Sequence, residues 1–169
     1  MERPTASYRR AKSARRFWMT ITLTSFVVGT LDILGAIVVY QTEPGPLFRA
    51  IASGAFGAGA AFSGGNIMVF WGILFHFIIA FAWTILFFLV YPMFSPLWKN
   101  KYITGALYGI VVWIAMNMIV IPLSAIAPRP FDVTSAIIGA SILVFAVGLP
   151  IAILAHEYCS RKGILRGDS

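Results

Sequence analysis

Residues 66–91 read NIMVFWGILFHFIIAFAWTILFFLVY, twenty-six consecutive positions with no Asp, Glu, Lys or Arg. As an α-helix rising about 1.5 Å per residue, the segment reaches roughly 39 Å, more than the roughly 30 Å of a bilayer's hydrocarbon core. It is long enough to span with a modest tilt. Working outward, three more long apolar runs lie at about 17–40, 102–125 and 135–158, with Asp32 in the first and Glu157 in the last as their only charged residues. None alternates apolar and polar residues at a period of two, which excludes a transmembrane barrel. The expected architecture is therefore an all-α integral membrane protein with four transmembrane helices, a basic tail 1–16 and a short tail 159–169. Composition agrees, since 59% of the 169 residues are hydrophobic and 11% charged, against about 45–50% and about 25% in soluble domains.

The first run exceeds the roughly 7–15 residues of a signal-peptide core and has no small-x-small cleavage site after it, so it is expected to stay. Arg15-Arg16-Phe17 is only a superficial twin-arginine pattern, because the Sec-like features are missing.

Thirteen Lys and Arg oppose six Asp and Glu, a net charge of +7. That excess does not point to nucleic acid, because the basic residues flank the apolar runs and are not interleaved with aromatics along a surface. It sets orientation instead. Arg3, Arg9, Arg10, Lys12, Arg15, Arg16, Lys99, Lys101, Arg161, Lys162 and Arg166 fall on one side of the four spans, and only Arg49 and Arg129 on the other. The positive-inside rule then places both termini in the cytoplasm. Trp18, Tyr91, Trp98, Tyr102 and Tyr158 are expected as aromatic anchors at the inner interface and Tyr40 at the outer one.

Between the first two spans, residues 47–63 are rich in Ala and Gly and carry Leu47, Phe48, Ile51, Phe56 and Phe62. This pattern suits a short exoplasmic helix, interfacial or re-entrant, with Pro46 near its start. Gly54, Gly57 and Gly59 do not make a phosphate loop: no strand precedes them, the spacing is wrong and no Lys follows. They are expected to permit close packing.

Polar side chains inside spans are costly and usually face a bundle interior. Asp32, His76 and Asn117 sit on three different spans, all about 12–15 Å below the outer interface at about 1.5 Å per residue. The faces around Asp32 and His76 carry small residues, Ser25, Gly29, Gly35 and Ala36 for the first and Gly72 and Ala80 for the second, which lets another helix approach closely. The three are expected to form an intramembrane polar cluster. It is either a hydrogen-bonded lock or a proton-exchanging or solute-binding site built on a carboxylate beside an imidazole.

His156 and His76 differ in depth by roughly 15–20 Å at about 1.5 Å per residue, so one haem iron cannot bridge them. His156 and Cys159 are spaced for half a metal site, but no further ligand is near in sequence. As the only cysteine, Cys159 excludes an intrachain disulfide. No H-E-x-x-H, G-x-S-x-G or C-x-x-C is present, so no cofactor, metal or catalytic residue is expected.

Asp32-x-x-Gly35, His76-Phe77-x-x-Ala80, Met116-Asn117 followed by Pro122-Leu123-Ser124, and Gly148-Leu149-Pro150-Ile151-Ala152 together resemble small bacterial inner-membrane proteins of the YagU type. The resemblance covers about residues 20–155. It implies a bacterial inner membrane, four spans and no known catalytic activity, and transfers no site residues. The expectation is a small non-enzymatic membrane component, with a proton-linked transporter or channel for a small solute as the alternative. Its expected partners are bilayer lipid and either a second copy or another membrane protein.

Overall fold

Each apolar run forms a helix, because in a medium without water every backbone N–H and C=O must be satisfied within the segment. The computed structural model describes residues 6–94, 100–127 and 130–161. Expectations resting on Arg3, Pro96, Trp98, Lys99, Arg129, Lys162 and Arg166 fall outside these residues. The element order is α1 (Ala6–Tyr40), α2 (Pro44–Phe56), α3 (Ala58–Ser63), α4 (Gly65–Phe94), α5 (Lys101–Ala115), α6 (Ile121–Leu123), α7 (Val133–Ile142) and α8 (Leu149–Arg161). Four stretches are long and apolar enough to cross a membrane: Ser13–Tyr40, Gly65–Pro92, Lys101–Leu123 and Val133–Arg161. The basic segment after Ala6 is not a separate irregular tail, since α1 runs through it without a break.

The third and fourth spans are not uniform α-helices. Residues Met116–Val120 and Leu143–Gly148 are π-helical, joining α5 to α6 and α7 to α8. Their position follows from Pro122 and Pro150. A proline ring collides with the carbonyl four residues earlier and offers it no N–H; those carbonyls belong to Met118 and Ala146, one inside each π segment. Widening the turn there relieves the collision and returns partners to the freed groups. Side chains cap the starts of these two spans: the Asn100 side chain accepts from the Tyr102 N–H at 2.9 Å, and Asp132 accepts from the Ser135 N–H at 2.7 Å. The backbone hydrogen bond from Ser135, helped by its hydroxyl, holds the Asp132 carboxyl below its usual 3.8, the stable arrangement for an anion at a helix start.

Packing is inside out relative to a soluble bundle. Large apolar side chains such as Leu23, Phe26, Ile78, Leu89, Ile110 and Phe145 face outward, while Thr24, Ser25, Thr84 and Thr104 are buried. Small residues at helix contacts are what lipid-immersed bundles use, since burial of apolar area gives no advantage over acyl chains. A methyl group on Gly148 would overlap the Gly105 carbonyl oxygen, and one on Gly105 would lie 2.8 Å from the Gly148 carbonyl oxygen. Gly105 and Gly109 thus form a G-x-x-x-G seam against the last span. The main core gathers Ile21 and Val28 of α1, Phe87, Phe88 and Tyr91 of α4, and Val147, Ile151, Ala152, Ala155 and Cys159 of the last span. Most of it lies toward the end of the bundle where α1 begins and α4 and α8 finish.

Toward the other end, α2 packs on the first turns of α4. A methyl group on Gly72 would overlap the Phe48 backbone carbonyl, and Phe56 meets Trp71 and Phe75 with ring centroids 5.9 Å apart in each pair. Phe48 and Phe56 are about 12 Å apart along α2 at about 1.5 Å per residue, yet both touch one level of α4. α2 therefore crosses α4 rather than running along it. The Ala125 N–H donates to the Gly54 carbonyl at 2.8 Å, fastening α2 to the end of the third span. Of the three glycines expected in close packing, only Gly54 fills that role, with its added Cβ at 3.6 Å from Ser124. Gly57, at φ 78°, is the break between α2 and α3, and Gly59 has open space around it. The single helix expected over 47–63 is thus two, because a residue with positive φ cannot continue an α-helix.

Candidate functional site

His76 is eleven residues into α4 and is buried, 8% exposed. Its Nε2 lies 2.8 Å from the Gly29 carbonyl oxygen of α1. A carbonyl only accepts, so Nε2 carries the hydrogen and donates across the helix pair. The approach depends on Gly29: an added Cβ there would lie 2.9 Å from the Phe77 ring and 3.2 Å from Ala80 Cβ. Asp32 follows Gly29 by three residues, on the same face of α1. The structure thus places Asp32 and His76 on adjoining helices, with no hydrogen bond or ion pair between the two side chains among the described residues.

Aromatic groups close the rest of the site. The Phe48 ring from α2 approaches the His76 imidazole edge-on, with centroids 6.5 Å apart. Phe77 does the same at 5.3 Å and itself stacks on Phe26 at 4.8 Å. These phenyl rings wall the imidazole in apolar surroundings, where its hydrogen bond to the Gly29 carbonyl counts for more than it would in water. Arg49 follows Phe48 in α2; its Nε is buried without a hydrogen-bond partner, and nothing in the described structure explains it.

The expected third member does not join. Asn117 is exposed, and its amide Nδ2 donates to the Trp113 carbonyl of its own helix at 2.9 Å. It lies in the π segment Met116–Val120, with its side chain facing away from the bundle. Ser141 of the last span is also exposed and donates to the Ile137 carbonyl at 2.8 Å. What the described residues show of the expected cluster is His76 bonded to the Gly29 carbonyl, with Asp32 one turn further along the same face of α1.

Comparison with protein-family models, curated proteins and solved structures finds no match to this chain. The site has to be read from its own geometry.

A second polar group lies at the opposite end. The Tyr91 hydroxyl and His156 Nδ1 share a hydrogen bond of 3.0 Å between α4 and α8. Tyr91, expected as an interfacial anchor, is instead 3% exposed and stacks on Phe87 at 5.1 Å; its hydroxyl finds its partner on a neighbouring helix rather than in the headgroup region. Cys159 is buried alongside. Among the described residues, no three His, Cys, Asp or Glu converge as a metal site. A further cross-link, the Tyr108 hydroxyl donating to the Trp83 carbonyl at 2.6 Å, ties α5 to α4. Tyr91 is at the end of its span and gave no such signal, whereas Tyr108 lies within a span, where its hydroxyl needs a partner that sequence does not name.

Proposed function

We propose that this chain is a small non-enzymatic multi-pass protein of a bacterial inner membrane, with both termini cytoplasmic and α2 as an exoplasmic interfacial or re-entrant helix. Its Asp32–His76 pair is a polar tie between the first two spans. The observation that carries this reading is the Nε2–H of His76 donating to the Gly29 carbonyl at 2.8 Å while the ring is packed by Phe48 and Phe77. An imidazole fixed in this way serves to join helices. The resemblance of the span motifs to the YagU type supports the bacterial inner membrane, and the distribution of Lys and Arg supports the orientation.

Reporter fusions test the orientation: those at Asn100 and Arg161 should read cytoplasmic and one at Phe131 exoplasmic. A cytoplasmic reading at Phe131 would overturn the four-span arrangement.

One observation favours a second reading, a proton-linked transporter or channel: Asp32 and His76 are ionisable side chains on adjoining helices long and apolar enough to span. Purified chain in vesicles loaded with a pH-sensitive dye separates the two. Under an imposed pH step, the first reading expects decay no faster than in protein-free vesicles. Decay that is several-fold faster and returns to the protein-free rate in Asp32→Asn would establish the second.

A further inference from the structure

Arg49 is the one Lys or Arg between Arg16 and Lys99, and the structure gives it no counter-charge. It makes no hydrogen bond or ion pair with the described residues. Its Nε is shut off from solvent without an acceptor, whereas neither Nη is buried in that way. The guanidinium is therefore held along one edge and open along the other. The acids on its side of the bundle do not reach it. Glu43 is six residues earlier in the chain and makes no ion pair, and Asp132 is bonded to the Ser135 N–H at 2.7 Å.

Depth gives the open edge its meaning. The spans Ser13–Tyr40 and Gly65–Pro92 have 28 residues each, roughly 42 Å at about 1.5 Å per residue, the thickness of a bilayer with its headgroups. Tyr40 and Gly65 thus end at headgroup level. α2 lies deeper, since the Phe48 backbone carbonyl meets Gly72, about 10 Å below the start of α4 at about 1.5 Å per residue. The backbone of Arg49 cannot rise from there: α2 is held against Gly72 at one end and by the Ala125 N–H on the Gly54 carbonyl at the other. A cation on a backbone at this depth is costly unless its stem lifts the charge toward the headgroups, where an anion can meet it.

We infer that Arg49 binds the phosphate group of a phospholipid in the leaflet that covers α2. A planar guanidinium with two reachable Nη atoms matches two phosphate oxygens at once, which a point charge does not. Free phosphate offers the same chemistry, but it would have to leave bulk water to reach this level, whereas a phospholipid already carries its phosphate there. The site recognises the phosphate and not the alcohol attached to it, so zwitterionic and anionic phospholipids both qualify. It needs the chain to lie in a bilayer and holds for either orientation.

The test is native mass spectrometry of the full chain in mild detergent, titrated with phosphatidylcholine, phosphatidylglycerol and the phosphate-free monogalactosyl diacylglycerol. One phospholipid should be retained per chain, equally for the two headgroups and about tenfold more firmly than the galactolipid, the ratio that one charge-assisted hydrogen bond supplies. Arg49→Met keeps the stem and removes the charge, and should bring both phospholipids down to the level of the galactolipid. Arg49→Lys should keep part of the preference. Arg161→Met, at the opposite end of the bundle, should leave it unchanged. Circular dichroism checks that each variant is folded, and Arg49→Gln takes the place of Arg49→Met if the latter is not. Equal retention of all three lipids by the parent would overturn the assignment, as would a phospholipid preference that survives in folded Arg49→Met or Arg49→Gln. Displacement of the bound lipid by excess inorganic phosphate would make this a free-anion site instead. A dimer of the parent that Glu43→Gln dissociates would give the cation to a second copy.

Discussion

Replacing Gly148 by valine is expected to separate the last two spans and lower stability by about 3 kcal/mol or more, the upper range for forcing carbon atoms into a filled contact. The reason is local: any Cβ at Gly148 overlaps the Gly105 carbonyl and comes 2.7 Å from the Gly109 nitrogen, and both are backbone atoms that no rotamer change can move. Gly105→Val should produce a loss of similar size from the other side of the seam. Gly59→Val serves as the control, because nothing lies within 4 Å of its added Cβ. Unfolding in mixed micelles with increasing dodecyl sulfate measures all three against the parent. If Gly148→Val unfolds within about 0.5 kcal/mol of the parent, the backbone contact between these spans does not exist in the membrane.

That seam shows what sequence conveys and what it does not. The four spans were legible because hydropathy over twenty-odd residues is a one-dimensional property, and the span limits shifted by four residues or fewer at any end. Close approach was also legible near the polar residues: the small faces around Asp32 and His76 correspond to real contacts at Gly29 and Gly72. Gly105 and Gly109 carried the same signal in the G-x-x-x-G pattern, but no polar residue drew attention to them. Pairing was not legible, since which helix meets which is decided by the whole packing.

Asn117 illustrates a different failure. Assigning a residue to a helix face assumes about 100° per residue from a fixed origin, and that assumption fails inside a π turn, which holds one residue more than an α turn. Pro122 announced a disturbance, yet its effect appeared upstream, at Met116–Val120, and left the Asn117 amide on its own helix. In α2 the analogous break came from Gly57, whose positive φ cannot be told in sequence from the glycines that merely allow close packing.

His76→Leu is expected to destabilise the chain by about 1–3 kcal/mol, because it removes the donor to the Gly29 carbonyl and leaves Asp32 without its partner among apolar groups. Leucine fills much of the imidazole volume, so the loss reports polar contacts more than a cavity. Asp32→Asn keeps the shape and a hydrogen-bonding side chain while removing the charge, and a purely structural tie predicts little change for it. The decisive quantity is their coupling. If Asp32 acts through His76, the double variant should be more stable than the two single losses added together, by about 0.5 kcal/mol or more. His76→Gln adds a further test: its amide can still donate to the Gly29 carbonyl, so it should recover part of what His76→Leu loses. The four variants and the parent are compared by the same dodecyl sulfate titration at fixed pH. Strict additivity would mean that the carboxylate and the imidazole share a depth without sharing a site, and the tie would then rest on the His76–Gly29 hydrogen bond alone.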